Sequence, residues 1–371
     1  SRYDYDSVCT AIDTELYKLV AFDMLTEAGV CLCMNTLVVG AVMEEMNAPG
    51  SGGTNGNAAD IAEHGRRIRG VSSESRSGRE LFEAKRFIDC TGYGDLSAFA
   101  GAAFTEPNDH PVANSMGVGG VSIDDYCAFM RAHGAVTDYS EGIRSGKDGQ
   151  VVRVDCDPRK LPPEIAREAQ EIGMAFVTTT VHDNYLMFIK LNYKTPESPT
   201  SRDQASLAEV ALRHRQMKAI AFFRKHIPGC EHAFIARTSP SIAIRRGRCI
   251  VCDYDLSSAD VEGCRHFEDD VFTYGFHDCA PSRQIGRGGT YGFPLRAMQV
   301  TGVTNLLASG MLITSDWHAH MSTRNTVSCM AQGQASGTAA AICAKADIPI
   351  RRMPYRVLRE ALLEGGVHLE N

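Results

Sequence analysis

The chain has 371 residues, 44% of them hydrophobic and 22% charged, with a formal net charge of -7. That acidic balance excludes the basic face a nucleic-acid partner needs, and no run of eighteen apolar residues is present to span a membrane. Thirteen scattered cysteines do not make the paired spacing of a secreted disulfide scaffold, and the polar start Ser1-Arg2-Tyr3-Asp4-Tyr5-Asp6 is not a signal peptide, so the expectation is a cytoplasmic protein of two linked domains.

In chain order, Leu16, Leu19, Val20 and Leu25 recur at helical spacing and predict an amphipathic helix over 13–28, closed by Gly29. A Val- and Leu-rich strand is expected from Cys31 to Val42, then a flexible loop between Asn47 and Asp60, where Pro, Gly, Ser and Asn dominate. Chain order resumes with Arg67–Val71, followed by a turn at Arg76–Arg79 and a strand at Lys85–Cys90 that ends in Thr91-Gly92-Tyr93-Gly94-Asp95. A long helix is predicted over 204–226, with Leu207, Val210, Ala211, Met217, Ile220 and Phe223 on its broad apolar face and Pro228-Gly229 stopping it. Ile244–Tyr254 reads as a strand. On it Cys249 and Cys252 point to opposite faces, so these thiols are expected to be buried core residues and not a metal pair.

A short helix capped by serine follows Asp255, and Gly286-Arg287-Gly288-Gly289 is a second glycine-rich loop. Val303–Gly310 is a buried strand. A polar loop leads on to a small-residue helix over 327–346, in which Gly333 and Gly337 stand four apart. Such glycines admit either another backbone or a flat ligand. In an open α/β sheet ligands bind beyond the carboxyl ends of strands, where glycine lets backbone approach them. The helix after Gly310 would aim its positive end into that crevice.

The segment from Asn305 through Gly310, Trp317-His318-Ala319-His320, Ser322, Arg324 and Gly333 to Ala341 resembles the C-terminal flavin segment of a family of FAD-dependent oxidoreductases. That family has the glutathione-reductase-like FAD fold and is distantly related to fumarate reductase flavoproteins. Ile88-Asp89-Cys90-Thr91-Gly92-Tyr93-Gly94-Asp95-Leu96 is similar to its "DATGDGDL" turn, Arg245–Leu256 to its Arg-rich strand, and Tyr291–Ala297 to its "YDIPYRAL". The resemblance implies an α/β fold. An incomplete Rossmann-like FAD-binding domain would comprise 1–107 and 290–371, and an α+β substrate or cap domain would comprise 108–289. It implies FAD as cofactor, with Gly92, Gly94, Asp95, Gly310, Ser322, Arg324 and Gly333 around it. His320, His318 and Arg324 would be the catalytic candidates, and Arg245, Arg248 and Trp317 would face substrate.

Two departures stand out. Met311 replaces the Arg that usually follows this glycine, and the family's opening G-x-G-x-x-G unit is missing from the sequence. That unit with its flanks would account for roughly eighty to a hundred residues, so a truncated chain is expected.

Each candidate has a plainer reading. The two histidines, in a loop, serve as proton partners for hydride transfer to flavin N5 or hydrogen-bond the loop backbone; as metal ligands they lack a third partner. Arg324 clamps a carboxylate through its planar fork or makes a structural ion pair. Arg245 and Arg248 are three apart on a strand, so at most one faces a cavity, and Trp317 walls a site or anchors the core. The activity expected is hydride transfer between a small organic substrate, with a lean toward a sugar or polyol, and the flavin. The alternatives are a remnant or subunit that needs another segment to complete the FAD site, and a flavin-dependent monooxygenase. A homo-oligomer is also open.

Overall fold

The computed structural model describes residues 11–45, 65–277, 285–286, 289–313 and 316–369. The glycine-rich loop expected at 47–60 and part of that at 286–289 lie outside them. Helix α1 (Thr14–Glu27) is followed by β1 (Leu37–Glu45), β2 (Arg66–Ser75), β3 (Gly78–Glu83), β4 (Phe87–Asp89), α2 (Asp95–Phe99) and β5 (Phe104–Thr105). Next come β6 (Val112–Gly119), α3 (Ile123–Ala132), β7 (Val136–Arg144), β8 (Lys147–Cys156), α4 (Pro163–Ile172), β9 (Met174–Thr179), β10 (Tyr185–Tyr193), α5 (Arg202–His226) and β11 (Phe234–Thr238). The last portion holds β12 (Cys249–Ile250), α6 (Ser258–Glu262), β13 (Asp270–Tyr274), β14 (Tyr291–Pro294), β15 (Leu306–Ala308), α7 (Trp317–Thr323), α8 (Thr326–Ala346) and α9 (Tyr355–Glu364). The fold is mixed α/β. Among the described residues no helix is long and apolar enough to cross a membrane.

The chain divides into two compact units. One contains residues 11–32 and Asn108–Arg245; the other contains Cys33–Pro107 and Arg246 to the end. Two segments differ from the expected division. Helix α1 joins the middle of the chain because its N-cap Asp13 reaches His182 at 3.2 Å and Glu15 reaches Arg237 at 3.8 Å. Residues 246–289 join the chain ends, since β12 pairs with β5, β13 with β14, and Arg248 with Asp95.

The first unit is a six-stranded antiparallel sheet of order β11-β6-β10-β9-β8-β7, backed by helices. Helix α5 lies on it through Ala208, Leu212, Gln216, Ala219, Phe222 and Phe223. Of the face expected, only Phe223 is fully buried there. Leu207, Val210 and Met217 are 46%, 58% and 67% exposed, because small Ala208 and Ala219 let the helix axis approach the sheet while the bulkier seam turns outward. The buried Gln216 Nε2 donates to Asn114 Oδ1 on β6 at 2.8 Å and fixes the helix on the sheet.

Local signals were reliable where they were strong. Asp13 Oδ1 accepts from the Glu15 and Leu16 amides at 2.9 and 3.2 Å and starts α1, and Gly29 takes the left-handed φ of +69° that ends it. Ser257 and Asp260 close a capping box at α6. Two expected strands shrink. β1 begins at Leu37, not Cys31, because Met34 and Asn35 form a turn with Asn35 at φ +52°. Of Ile244–Tyr254 only Cys249–Ile250 is strand, the rest of the stretch making isolated bridges such as Cys252 with Val300. Cys249 and Cys252 are both buried, and burial pushes the Cys252 thiol far up.

Gln216→Leu should destabilise the protein by about 1–3 kcal/mol, the cost of leaving the Asn114 amide buried without its partner. Adding Asn114→Leu should recover part of that loss. Urea unfolding of the two single variants and the double variant measures the coupling, and strictly additive losses would contradict it.

Candidate functional site

The second unit is organised about two short parallel strands, with Leu306, Leu307 and Ala308 of β15 registered on Phe87, Ile88 and Asp89 of β4. Both segments are apolar but for Asp89 and buried but for the half-buried Ile88, which suits a parallel pair largely covered on its faces. Asn305 aligns their starts. Its Oδ1 accepts from the Ile68 amide at 2.9 Å, its Nδ2 donates to the Ile68 carbonyl at 2.8 Å, and its carbonyl accepts from Phe87 at 2.9 Å. At the other end the Ser309 amide donates to the Asp89 carbonyl at 3.0 Å.

Asp89 folds the turn that leaves β4. Its Oδ1 accepts from the Thr91 amide and hydroxyl at 3.0 and 2.7 Å, and its Oδ2 from the Ser97 amide and hydroxyl at 2.8 and 2.7 Å. Thr91 Oγ1 in turn accepts from the Asp95 amide at 2.8 Å. Gly92 and Gly94 are left-handed, at φ +80° and +70°. They differ in kind. A Cβ on Gly94 would sit 2.5 Å from Ile250 Cδ1, so Gly94 is needed for packing, whereas a Cβ on Gly92 would meet only Met311 Cε at 3.7 Å. Gly310, at φ +104°, has nothing within 4 Å of its Cβ position. The strand ends therefore present open backbone at Gly92 and Gly310.

Asp95 is held by Arg248 Nη1 at 2.6 Å, and Arg248 also faces Glu106 at 3.4 Å and the Phe104 ring at 5.5 Å. Arg248 is thus occupied in pinning the turn. Arg245 lies in the other unit, 3.4 Å from His110 Nε2.

The Trp317–Thr323 segment is helix α7, not the expected loop, because Asp316 caps it: Oδ1 accepts from the Ala319 amide at 2.7 Å and Oδ2 from the Ser258 amide at 2.6 Å. Burial opposes ionisation of Asp316, but those two amides, with the Ser258 hydroxyl and the charge of His318, hold the carboxyl below its usual range. Two residues apart on a helix, His318 and His320 point to different sides. His318 is half-buried, its ring edge-on to Trp317 at 5.0 Å, whereas His320 is fully buried. Ser322 is buried too, its hydroxyl 2.9 Å from Tyr291 OH and bonded to the Phe276 carbonyl. Arg324 ends α7, with Nη2 at 3.8 Å from Met321 Sδ and its carbonyl accepting from Cys329 Sγ at 3.3 Å.

Asn325 turns its side chain back onto the Met321 and Ser322 carbonyls at 3.1 and 3.0 Å, so α8 starts without a side-chain cap. Its positive end is left for an acceptor. Farther along α8, Gly333 and Gly337 have nothing within 4 Å of their Cβ positions, while Gln332 and Ser336 face the core. Gln332 was not singled out in the sequence, yet it ties the site together. Its Oε1 accepts from the Gly310 amide at 2.7 Å and its Nε2 donates to the Thr323 carbonyl at 3.0 Å. A glutamine in a helix of small residues was the available signal. Asn305 and Asp89 likewise lie inside the family-like segments, where nothing in the sequence marks them as anchors. Among the described residues no group of three His, Cys, Asp or Glu is arranged to hold a metal.

A profile of the FAD dependent oxidoreductase family matches residues 2–362, and the chain belongs to that family. No curated protein matches it. Among solved structures, pyridoxine 4-oxidase from Mesorbium loti is 9% identical with a TM-score of 0.19, over 73% of this chain and 54% of that one. The chain thus spans about half the length of that protein. The family's cofactor is FAD, and the residues present fit its flavin portion: glycine backbone is open at two strand ends, an uncapped helix start can face an electron-rich edge, and Gly333 is bare.

Asp89→Asn should cost about 3 kcal/mol. An amide nitrogen would face donors that one carboxylate oxygen now accepts, forfeiting two bonds to a charged acceptor at about 1.5–3 kcal/mol each, in part offset by relaxation. Guanidinium unfolding reads the loss, and a change below about 1 kcal/mol would show that the turn does not depend on this carboxylate.

Proposed function

We propose that this chain forms the flavin- and substrate-facing part of an enzyme that oxidises or reduces a small organic molecule. The single observation that carries the reading is the pair of open strand ends at Gly92 and Gly310 beside the uncapped start of α8. Bound FAD supplies the hydride acceptor or donor. The chain's own contributions follow from its side chains. Backbone at Gly92 and Gly310 admits the cofactor closely. The amino end of α8 stabilises negative charge, and Arg324 offers a planar fork to a carboxylate or to the flavin's pyrimidine edge. His318, the more accessible histidine, takes a proton from substrate on an imidazole nitrogen, with Trp317 as its wall. His320 positions α7 from within the core. A sugar or polyol is the substrate class proposed, from the family resemblance.

A second reading is favoured by a sequence fact. No G-x-G-x-x-G occurs in these 371 residues, and on this reading they need a further segment to complete the FAD site.

In FAD-loaded protein, His318→Ala should slow substrate reduction of the flavin by about a hundredfold, the usual range for one acid-base group, with FAD content unchanged. His320→Ala should instead lower the melting temperature and leave the rate of the folded fraction near wild type. Rapid-mixing kinetics on both variants decides it. The reverse pattern would move the proton-transfer role to His320.

A further inference from the structure

The first unit holds a cation whose hydrogen-bonding capacity the fold uses only in part. Strands β11, β6 and β10 lie side by side, and Arg237 of β11 is registered on Gly117 of β6. Side chains alternate along β6, so with Asn114 turned to α5, Gly117 lies on the opposite face of the sheet. A Cβ on Gly117 would collide with the Tyr185 hydroxyl and stand 2.8 Å from ring atoms Cε2 and Cζ. The missing side chain thus lets the phenol of β10 cross the sheet towards β11. There Arg237 Nε donates to the Tyr185 hydroxyl at 3.1 Å, and Nη2 donates to the Met187 carbonyl at 2.8 Å. These two bonds fill one edge of the guanidinium. The end fork, Nη1 with the second N–H of Nη2, is left over, and Nη1 is not buried. The charge is under-compensated as well. The Arg237 side chain is only 24% exposed, yet the carboxylate paired with it among the described residues, Glu15, stands 3.8 Å from Nε, beyond hydrogen-bond length. Glu15 is itself 58% exposed, on a helix with no buried residue, and its Oε2 already accepts from Lys18 at 2.7 Å.

We propose that Arg237 anchors a binding site for the carboxylate of a small organic monoacid, on the sheet face turned away from α5. A mostly buried cation that is held in place and lacks a hydrogen-bonded anion gains by taking one, and the planar end fork matches the two oxygens of one carboxylate. Tyr185 and Met187 are positioning groups: they fix the plane of the guanidinium and leave its fork outward. The surrounding charge selects a monoanion. Glu15 stands beside Arg237, and Asp13 holds His182 at 3.2 Å, the His182 ring lying 6.0 Å from that of Tyr185. Two carboxylates at this corner disfavour a phosphate or a dicarboxylate by like-charge repulsion. Glu15 is a weak internal competitor, which an incoming acid displaces onto Lys18. The proposal rests on the first unit alone and is independent of the flavin reading.

Fluorine NMR titration of the full chain with fluoroacetate and para-fluorobenzoate tests it, with para-fluorobenzamide as the neutral twin and thermal melts of every sample. At least one acid should bind in the millimolar range or tighter, and the amide at least about tenfold more weakly than its acid. Arg237→Lys keeps the charge but loses the fork, and should weaken the acid by about tenfold or more. Tyr185→Phe should weaken it by about threefold, because the guanidinium loses the bond that orients it. Glu15→Gln, at an exposed position, should tighten it by about threefold, and this variant decides the matter if Arg237→Lys melts early. Arg324→Lys should change nothing, which separates this site from the fork at α8. No response to either acid at tens of millimolar, equal binding of acid and amide, or wild-type affinity in a normally folded Arg237→Lys protein would overturn the proposal. So would Glu15→Gln that fails to tighten binding, or a loss on Arg324→Lys in place of Arg237→Lys.

Discussion

The carboxylate of Asp89 is the point on which the second unit turns. Two parallel strands of three residues bury little by themselves, and their ends must be fixed by something other than ladder hydrogen bonds. Asp89 does this from inside the core. It gathers four donors from Thr91 and Ser97 and so dictates where the chain leaves β4. The left-handed Gly92 and Gly94 follow from that path, as does the start of α2. Gln332 performs the matching task for β15 through the Gly310 amide. The two polar anchors hold two backbone loops open side by side without filling the space beyond them.

This division of labour separates support from contact. Arg248, Asp95, Ser322 and Gly94 have partners within the fold: an ion pair, a buried hydroxyl pair and a left-handed glycine packed on Ile250. Gly92, Gly310, Gly333 and His318 remain accessible to a ligand. A flavin enzyme needs both sets, since a site is only as well positioned as the residues that hold it.

Much of this was legible in the sequence, and the failures have physical causes. Strong local chemistry read correctly: the Gly29 stop of α1, the Arg76–Arg79 turn, the turn glycines after β4 and the long helix α8. Helix α7 was missed because seven residues are too few for periodicity to show, and its capping aspartate lies before a Trp-His-Ala-His run that looks like loop. The Ile244–Tyr254 strand was over-extended because its run of β-formers, Cys249 to Cys252, is short and is preceded by an Arg-Arg-Gly-Arg stretch, and most of the backbone makes only isolated bridges. On α5 two apolar stripes compete, and sequence cannot say which one meets the sheet; the alanines at 208 and 219 decided it through close approach. Histidine burial was equally invisible, because it depends on helix phase within a segment read as loop.

The most direct test of the account is flavin binding by a variant at Gly333. Its side-chain position is bare, so Gly333→Leu should fold and melt like wild type while binding FAD at least about tenfold more weakly, a difference of about 1.4 kcal/mol. Fluorescence titration with FAD, alongside thermal melts of the same samples, gives both values. Wild-type flavin affinity in a normally folded Gly333→Leu protein would contradict the placement of the cofactor at α8 and the open ends of β4 and β15.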